Sequence, residues 1–293
     1  MLVGLKTLIG CATVLAAVTL APQSAFAQTP CTPRLESPPL VSSGVLIGAI
    51  NPTAAPLQYI DVTGKMVGLD VDFGDLIAAR LCLKMQFQST EFASMIPGLR
   101  GGRYDMIDTF MNYTPERAAQ VAMIPYGVSS LAIVVPKADT RAISGLENFS
   151  GQRFGDQLGS VDDTIARKAS DDLMKAGKKP IDVRTFANYA DILQALNAGQ
   201  IDGAFVGTDQ AFYYRDKGQT FFRIAVTGLN PHVEAIAFKD QAVAGAVAEA
   251  LDAMKHDGSL DALFARYHHC VLPAPFKVTT GPVVPPACTP GGS

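Results

Sequence analysis

Between residues 45 and 268 short strand-like runs alternate with longer helix-like ones, and this alternation constrains the fold more than any other property of the chain. Residues 45–50, 84–88, 104–107, 130–135, 153–156, 182–185, 203–206 and 233–238 read as strands. Residues 73–81, 93–99, 115–119, 161–175, 189–198, 242–256 and 260–268 read as helices. Residues 57–60 and 66–69 flank Asp61-Val62-Thr63-Gly64-Lys65 and read as a hairpin around a turn. Strands that alternate with helices need crossover connections, so an α/β fold with helix-covered sheets is expected.

Local chemistry marks several element ends. Gly68 ends a turn, Leu69 and Val71 alternate as in a short buried strand, and Asp72 is placed to start a helix, with Asp75 three residues on. Pro97 falls near a helix start, where proline is best tolerated. Thr114 fits an N-cap and Pro115 the first helical position after it.

Residues 1–27 read as a secretory signal peptide: Lys6 supplies the positive end, residues 7–20 are apolar, and Ala25-Phe26-Ala27 offers a cleavage site. The apolar run is short for a membrane span and Pro22 follows it. Leu8-Ile9-Gly10-Cys11 has the look of a lipoprotein box but precedes the end of the apolar run. Twenty-four basic against 27 acidic residues leave no positive excess for nucleic acid or an anionic membrane. Beyond the leader Cys31, Cys82, Cys270 and Cys288 remain, an even number in an exported chain, which favours disulfides. Four cysteines allow three pairings; Cys31–Cys82 and Cys270–Cys288 join the segments nearest in sequence. His268-His269-Cys270 is a poor metal site, because adjacent histidines point in different directions and no CxxC accompanies them. No metal and no cofactor are expected.

Gly68-Leu69-Asp70-Val71-Asp72-Phe73 resembles the signature of the family 3 extracellular solute-binding proteins, periplasmic receptors that feed polar amino acids to ABC importers. Further segments resemble the same family in the same order: Phe92-Ala-Ser-Met-Ile-Pro-Gly-Leu99, Thr114-Pro115-Glu116-Arg117, Ile124-Pro125-Tyr126, Gly159-Ser160, Ala198-Gly199-Gln200-Ile201-Asp202 and Lys255-His-Asp257-Gly258-Ser259. The resemblance covers nearly all of residues 43–269. It implies the type II periplasmic binding fold: two lobes, each a mixed sheet flanked by helices, joined by a two-strand hinge. The crossings are expected near residues 129–134 and 232–236. Lobe 1 would be 43–131 plus 234–270, lobe 2 132–233, with an N-terminal arm at 28–42 and a Pro-rich tail without a packing pattern at 271–293.

The same resemblance implies a ligand site. Arg117 offers a planar fork of donors for a carboxylate, and the first turn of its helix adds backbone N–H groups. A pairing with Glu116 or Asp108 is the structural alternative. Gly159 lets backbone approach closely, while Ser160 can cap the next helix and also donate to the ligand. Asn112 can donate and accept, the backbone of Thr109 and Phe110 should flank it, Phe92 matches a ligand-packing aromatic, and Asn51 completes the set. Two departures stand out. Ala54 sits where the family often has an aromatic, which leaves Tyr59 or Tyr126 to replace it. Gly207 falls where lobe 2 usually offers an Asp to the ligand ammonium, with Asp209 two residues later as a substitute and Asp108 as a second. If no acid reaches the amine, an opine, a modified amino acid or another carboxylate becomes the better ligand.

The expected function is a periplasmic binding module, monomeric and not an enzyme, that closes on a polar amino acid or derivative and docks on an inner-membrane ABC permease. Two alternatives share the fold: a cyclohexadienyl (prephenate or arogenate) dehydratase-like lyase using Asp108, Asp209 or Glu91 as acid, and a sensing subunit for a membrane receptor. A serine hydrolase is disfavoured, because Ser160 has no GxSxG elbow.

Overall fold

A computed structural model describes residues 39–287. The expected signal peptide, most of the arm, Cys31 and Cys288 lie outside the described residues. The chain begins with β1 (Val45–Ile50), followed by β2 (Thr53–Ala54), β3 (Gln58–Ile60) and β4 (Met66–Val67), which form a small antiparallel sheet of their own. Next come α1 (Leu69–Arg80), β5 (Lys84–Ser89), α2 (Met95–Arg100), β6 (Met106–Ile107), α3 (Pro115–Ala118) and the long strand β7 (Ala122–Pro136). A second series follows: β8 (Arg153–Gln157), α4 (Val161–Lys175), β9 (Asp182–Phe186), α5 (Tyr189–Asn197), β10 (Gly203–Gly207) and α6 (Thr208–Asp216). The chain returns through β11 (Phe222–Phe238) and ends in α7 (Gln241–His256), α8 (Ser259–Arg266) and β12 (Cys270–Val271).

The main sheet runs β5-β1-β6-β11-β7-β10-β8-β9, with β12 beside β7. β1 pairs parallel with β5 and β6, and β8 pairs parallel with β9 and β10, as helical crossovers require. β7 and β11 run antiparallel to each other through both halves. At one end of β7, Val128 and Gly127 meet β12; further along, residues from Leu131 to Val134 meet β10. The strand therefore passes from one half to the other near Ser129 and Ser130. β11 crosses where its register against β7 slips repeatedly, between Ile224 and His232.

Each half has a core on both faces of its part of the sheet, which makes two lobes. In the first, Leu69, Phe73, Ile77 and Phe264 pack on one face, and Met95, Leu99, Tyr104 and Met123 on the other. In the second, Phe149, Phe154 and Phe205 lie on one face and Ile192, Leu196 and Val206 on the other. The pleat explains the division: along β7, Ile133 and Val135 enter one core while Ala132 and Val134 enter the opposite one. A run that is apolar at every position is what a strand buried on both faces needs.

Four features depart from the sequence reading. Leu69 and Val71 lie in helix α1, which starts at Leu69 rather than after Asp72. Gly68 takes φ 129°, so the chain enters the helix directly, and Leu69, Phe73 and Ile77 fall four apart on one buried face. A Cβ on Gly68 would lie 2.3 Å from the Leu57 carbonyl oxygen. Gly68→Ala is expected to destabilise the protein by about 1–3 kcal/mol, from overpacking on a backbone that L-residues resist. Urea unfolding with an unchanged midpoint would refute this. α6 carries no helical signal in the sequence, because its buried residues, Gln210 and Ala211, give no apolar stripe. The first part of β11 is largely half-exposed and so lacks a buried apolar run. The tail does pack: Phe276 is 4% exposed, its N–H meets Asp252 Oδ1 at 2.8 Å, and Tyr113 donates its hydroxyl to the Gly281 carbonyl at 2.6 Å. A Pro-rich segment that borrows its partners from lobe 1 has no periodicity of its own to betray this.

Cys82 and Cys270 are both disulfide-bonded. The expected partners, Cys31 and Cys288, are outside the described residues. Among the described residues no group of His, Cys, Asp and Glu is arranged to hold a metal ion, and no helix is long and apolar enough to cross a membrane.

Candidate functional site

The lobes meet over a small cavity whose wall combines four carboxamides, Asn51, Gln58, Asn112 and Gln157, with Thr109, Ser160, Tyr189 and the rings of Phe92 and Phe110. Lobe 1 supplies its part from strand ends. Asn51 follows β1; its N–H meets Thr109 Oγ1 at 2.9 Å, its Nδ2 donates to the Thr90 carbonyl at 3.2 Å, and its Oδ1 accepts from the Thr53 hydroxyl at 2.6 Å. Gln58 in β3 donates Nε2 to Thr109 Oγ1 at 3.2 Å. β3 alternates sides, so Gln58 turns inward while Tyr59 turns out to meet the Tyr213 ring at 5.8 Å.

Arg117 spans the lobes. Thr114 caps α3, accepting the Arg117 N–H at 3.1 Å with Pro115 in the first turn. The guanidinium donates Nη1 to the Asn112 carbonyl at 2.7 Å and Nη2 to the Gly159 carbonyl at 3.1 Å, and lies over the Phe92 ring, 5.3 Å from its centroid. Burial pulls its pKa down, opposed by Asp162 and Tyr189. From lobe 2, Gly159 takes φ 79° and Ser160 caps α4, its Oγ accepting the Asp163 N–H at 3.0 Å. Tyr189 opens α5 behind the Asn188 cap; its N–H lies 3.4 Å from Thr53 Oγ1 and its hydroxyl 3.4 Å from Asp162 Oδ2. Burial pushes Asp162 up to about 6, opposed chiefly by Arg117.

Of the residues singled out in the sequence, Asn51, Phe92, Thr109, Phe110, Asn112 and Ser160 are brought together in the wall. Arg117 and Gly159 bond to each other beside it. Two are not brought there. Asp209 lies in the first turn of α6, with Oδ2 2.8 Å from His269 Nδ1. Asp108 is fully buried behind the wall, where desolvation and the neighbouring Asp70 and Asp75 hold its pKa far above the carboxylate range. Neither Tyr59 nor Tyr126 replaces the aromatic absent at Ala54: Tyr126 is core, packed on Phe73 and Phe264. Beside Phe92 and Phe110, the tyrosine that reaches the cavity is Tyr189, from lobe 2. Glu91 is exposed. Gln58, Gln157 and Tyr189 belong to no motif, and no signal in the sequence marks them.

Behind Phe110 lies a buried ionic group. His269 Nε2 is 2.7 Å from Glu234 Oε2 while its Nδ1 faces Asp209, so one imidazole joins two carboxylates, one from each lobe.

The family model for bacterial extracellular solute-binding proteins, family 3, matches residues 46–269. The chain is 25% identical over 234 residues to the L-cystine-binding protein TcyJ of Escherichia coli (strain K12), covering 76% of this chain and 82% of that one. It is 24% identical over 159 residues to ABC transporter arginine-binding protein 1 of Escherichia coli (strain K12), covering 54% of this chain and 61% of the relative, less than two thirds of its length. Among solved structures, an ancestral arginine-binding protein bound to arginine superposes with a TM-score of 0.70 at 30% identity, covering 76% of this chain and 98% of that one. That neighbour is a two-lobe amino-acid-binding protein, and the architecture here is the same.

Proposed function

Because the chain belongs to the bacterial extracellular solute-binding proteins, family 3, we propose that it is a periplasmic receptor that captures a small carboxylate ligand, an amino acid or a derivative of one, and delivers it to an ABC importer. The observation that carries this reading is the bridging guanidinium. Arg117 projects from lobe 1 beside the cavity and already bonds the Gly159 carbonyl of lobe 2. A planar fork in that place suits a carboxylate held bidentately, and Gly159-Ser160 at the start of α4 adds backbone N–H groups and the positive end of a helix. Asn112, Thr109, Phe110, Phe92 and Asn51 are the remaining ligand contacts in this reading. A ligand that touches both lobes favours the closed form, and closure is what a membrane permease would recognise. The receptor acts as a monomer.

The test is a thermal-shift screen of ligand-stripped protein against amino acids, opines and small carboxylates. A ligand at 100 times its Kd should stabilise by about 2.7 kcal/mol, or roughly 5–10 °C for a chain of this size. A flat panel with folded protein would refute the reading.

A lyase is the second reading, and Asp162 favours it over the acids first considered. Its carboxyl, raised to about 6 by burial, lies outside the cavity lining and faces the Tyr189 hydroxyl, so in this reading Tyr189, which does line the cavity, relays the proton to the substrate. A turnover assay with prephenate separates the two.

A further inference from the structure

The acids near the cavity are buried behind it or face other groups. Asp209 faces His269. Asp70 and Asp108 are both 0% exposed behind the wall. Asp163 pairs with Arg167 at 2.7 Å, and Asp162 faces the Tyr189 hydroxyl and the Arg117 charge. Among the described residues, the lining of the cavity contains no acid.

The Phe110 ring lies against Gly207, the position where the sequence resemblance implies a lobe 2 Asp for the ligand ammonium. A Cβ built on Gly207 would lie 3.6 Å from Cε1 of Phe110, ordinary contact distance. Phe110 takes φ 57°, a left-handed conformation costly for a residue with a Cβ. Its ring is held there by edge contacts to His269 at 5.8 Å and His232 at 6.3 Å. The strain is tolerated at one wall of the site, and its result is an apolar surface.

The other walls are polar but uncharged. Carboxamides both donate and accept, so they suit amides and hydroxyls. Gln58 is 3% exposed, and while its Nε2 is used by Thr109, its Oε1 has no partner among the described residues. A buried acceptor left unpaired is costly, so a donor brought in by the ligand is favoured there. A cation against such a wall would lose its hydration without gaining a counter-charge.

We infer that the cavity selects carboxylates whose other polar groups are uncharged amides or hydroxyls, and that it does not use a free α-ammonium. The inference rests on the receptor reading. Arg117 takes the carboxylate, the carboxamides take the neutral groups, and Phe110 closes the side where an amine would sit.

Calorimetric titration of ligand-stripped protein tests this with probes that share a skeleton and differ in the amine: glutamine against pyroglutamate, alanine against lactate and N-acetylalanine, and arginine as the cationic member. The amine-free member should bind as tightly as its zwitterionic partner or more tightly, and arginine should bind at least about tenfold more weakly than either. A zwitterion or arginine that binds about tenfold more tightly than the amine-free probes overturns the inference. The receptor reading survives that result if Arg117→Ala abolishes the same binding. Folded protein that binds none of the probes removes the receptor reading and the inference with it.

Discussion

Arg117→Ala is expected to remove ligand-dependent stabilisation while leaving the protein folded. The guanidinium is a cation beside the cavity, and it is preorganised: Thr114 and Pro115 fix its helix turn, Asn112 holds Nη1, and the Phe92 ring supports its face. Truncating one partner of a buried, hydrogen-bonded charge pair costs about 2–5 kcal/mol of affinity, which is roughly 30-fold to several-thousand-fold in Kd. The unliganded protein should lose far less. The Asn112 and Gly159 carbonyls released by the substitution border a cleft that water enters on opening, so their hydrogen bonds are replaced. Arg117→Lys keeps the charge but not the fork, and should fall between the two. Calorimetry on the three proteins at one salt concentration decides it. An alanine variant that binds as wild type would show that the guanidinium is only a strut between the lobes.

The parts of this site that were legible in the sequence are those set by local chemistry. Thr114-Pro115 announces a helix start, and Arg117 sits three residues beyond the cap. Ser160 is an N-cap by type and place, and Gly159 adopts the positive φ that glycine tolerates. What was not legible depends on chain crossings. Tyr189 and Gln157 reach the cavity only because β7 and β11 fold lobe 2 over lobe 1. Nearness to Gly207 points Asp209 toward the ligand, but α6 begins at Thr208 and its first turn aims the carboxylate at His269, 60 residues away in sequence. The mirror case is α1, where an alternation of Leu69 and Val71 mimics a strand and only the buried fourfold spacing from Leu69 to Phe73 and Ile77 reveals a helix. Short apolar runs are ambiguous in this way because two residues sample too little of either period.

His269 is where the largest loss of stability is expected. Burial alone would lower its pKa, but Glu234 and Asp209 outweigh burial and raise it to about 10. The imidazolium thus stands between two carboxylates, 2.7 Å from the fully buried Glu234 and 2.8 Å from Asp209 of the other lobe. His269→Ala leaves the Glu234 carboxyl buried without its counter-charge, and breaking a buried pair from one side costs about 3–5 kcal/mol. The corresponding fall in Tm is on the order of 10 °C. A pH profile separates this from simple loss of packing. The folded pKa of His269 lies above its unfolded value, so its contribution is fully present below about pH 6.5 and disappears as pH rises through about 10. Asp162, held up at about 6 by burial, and Glu234, raised by burial against the pull of His269, act with the same sign, since the folded state keeps protons that the unfolded chain releases. On the acid side, Asp257, lowered to about 2 by its hydrogen bonds to Ser259 and Arg80, acts in the opposite sense, so protonating it costs stability. Wild type should therefore weaken steadily from about pH 6.5 toward alkaline pH, while below that His232, lowered by burial, offsets part of the gain. His269→Gln fills the same space without a charge; it should lower the acid side of the curve and flatten the decline between about pH 6.5 and 10. If its profile instead runs parallel to that of wild type, the imidazole is neutral in the fold and the bridge between the lobes is an ordinary hydrogen bond.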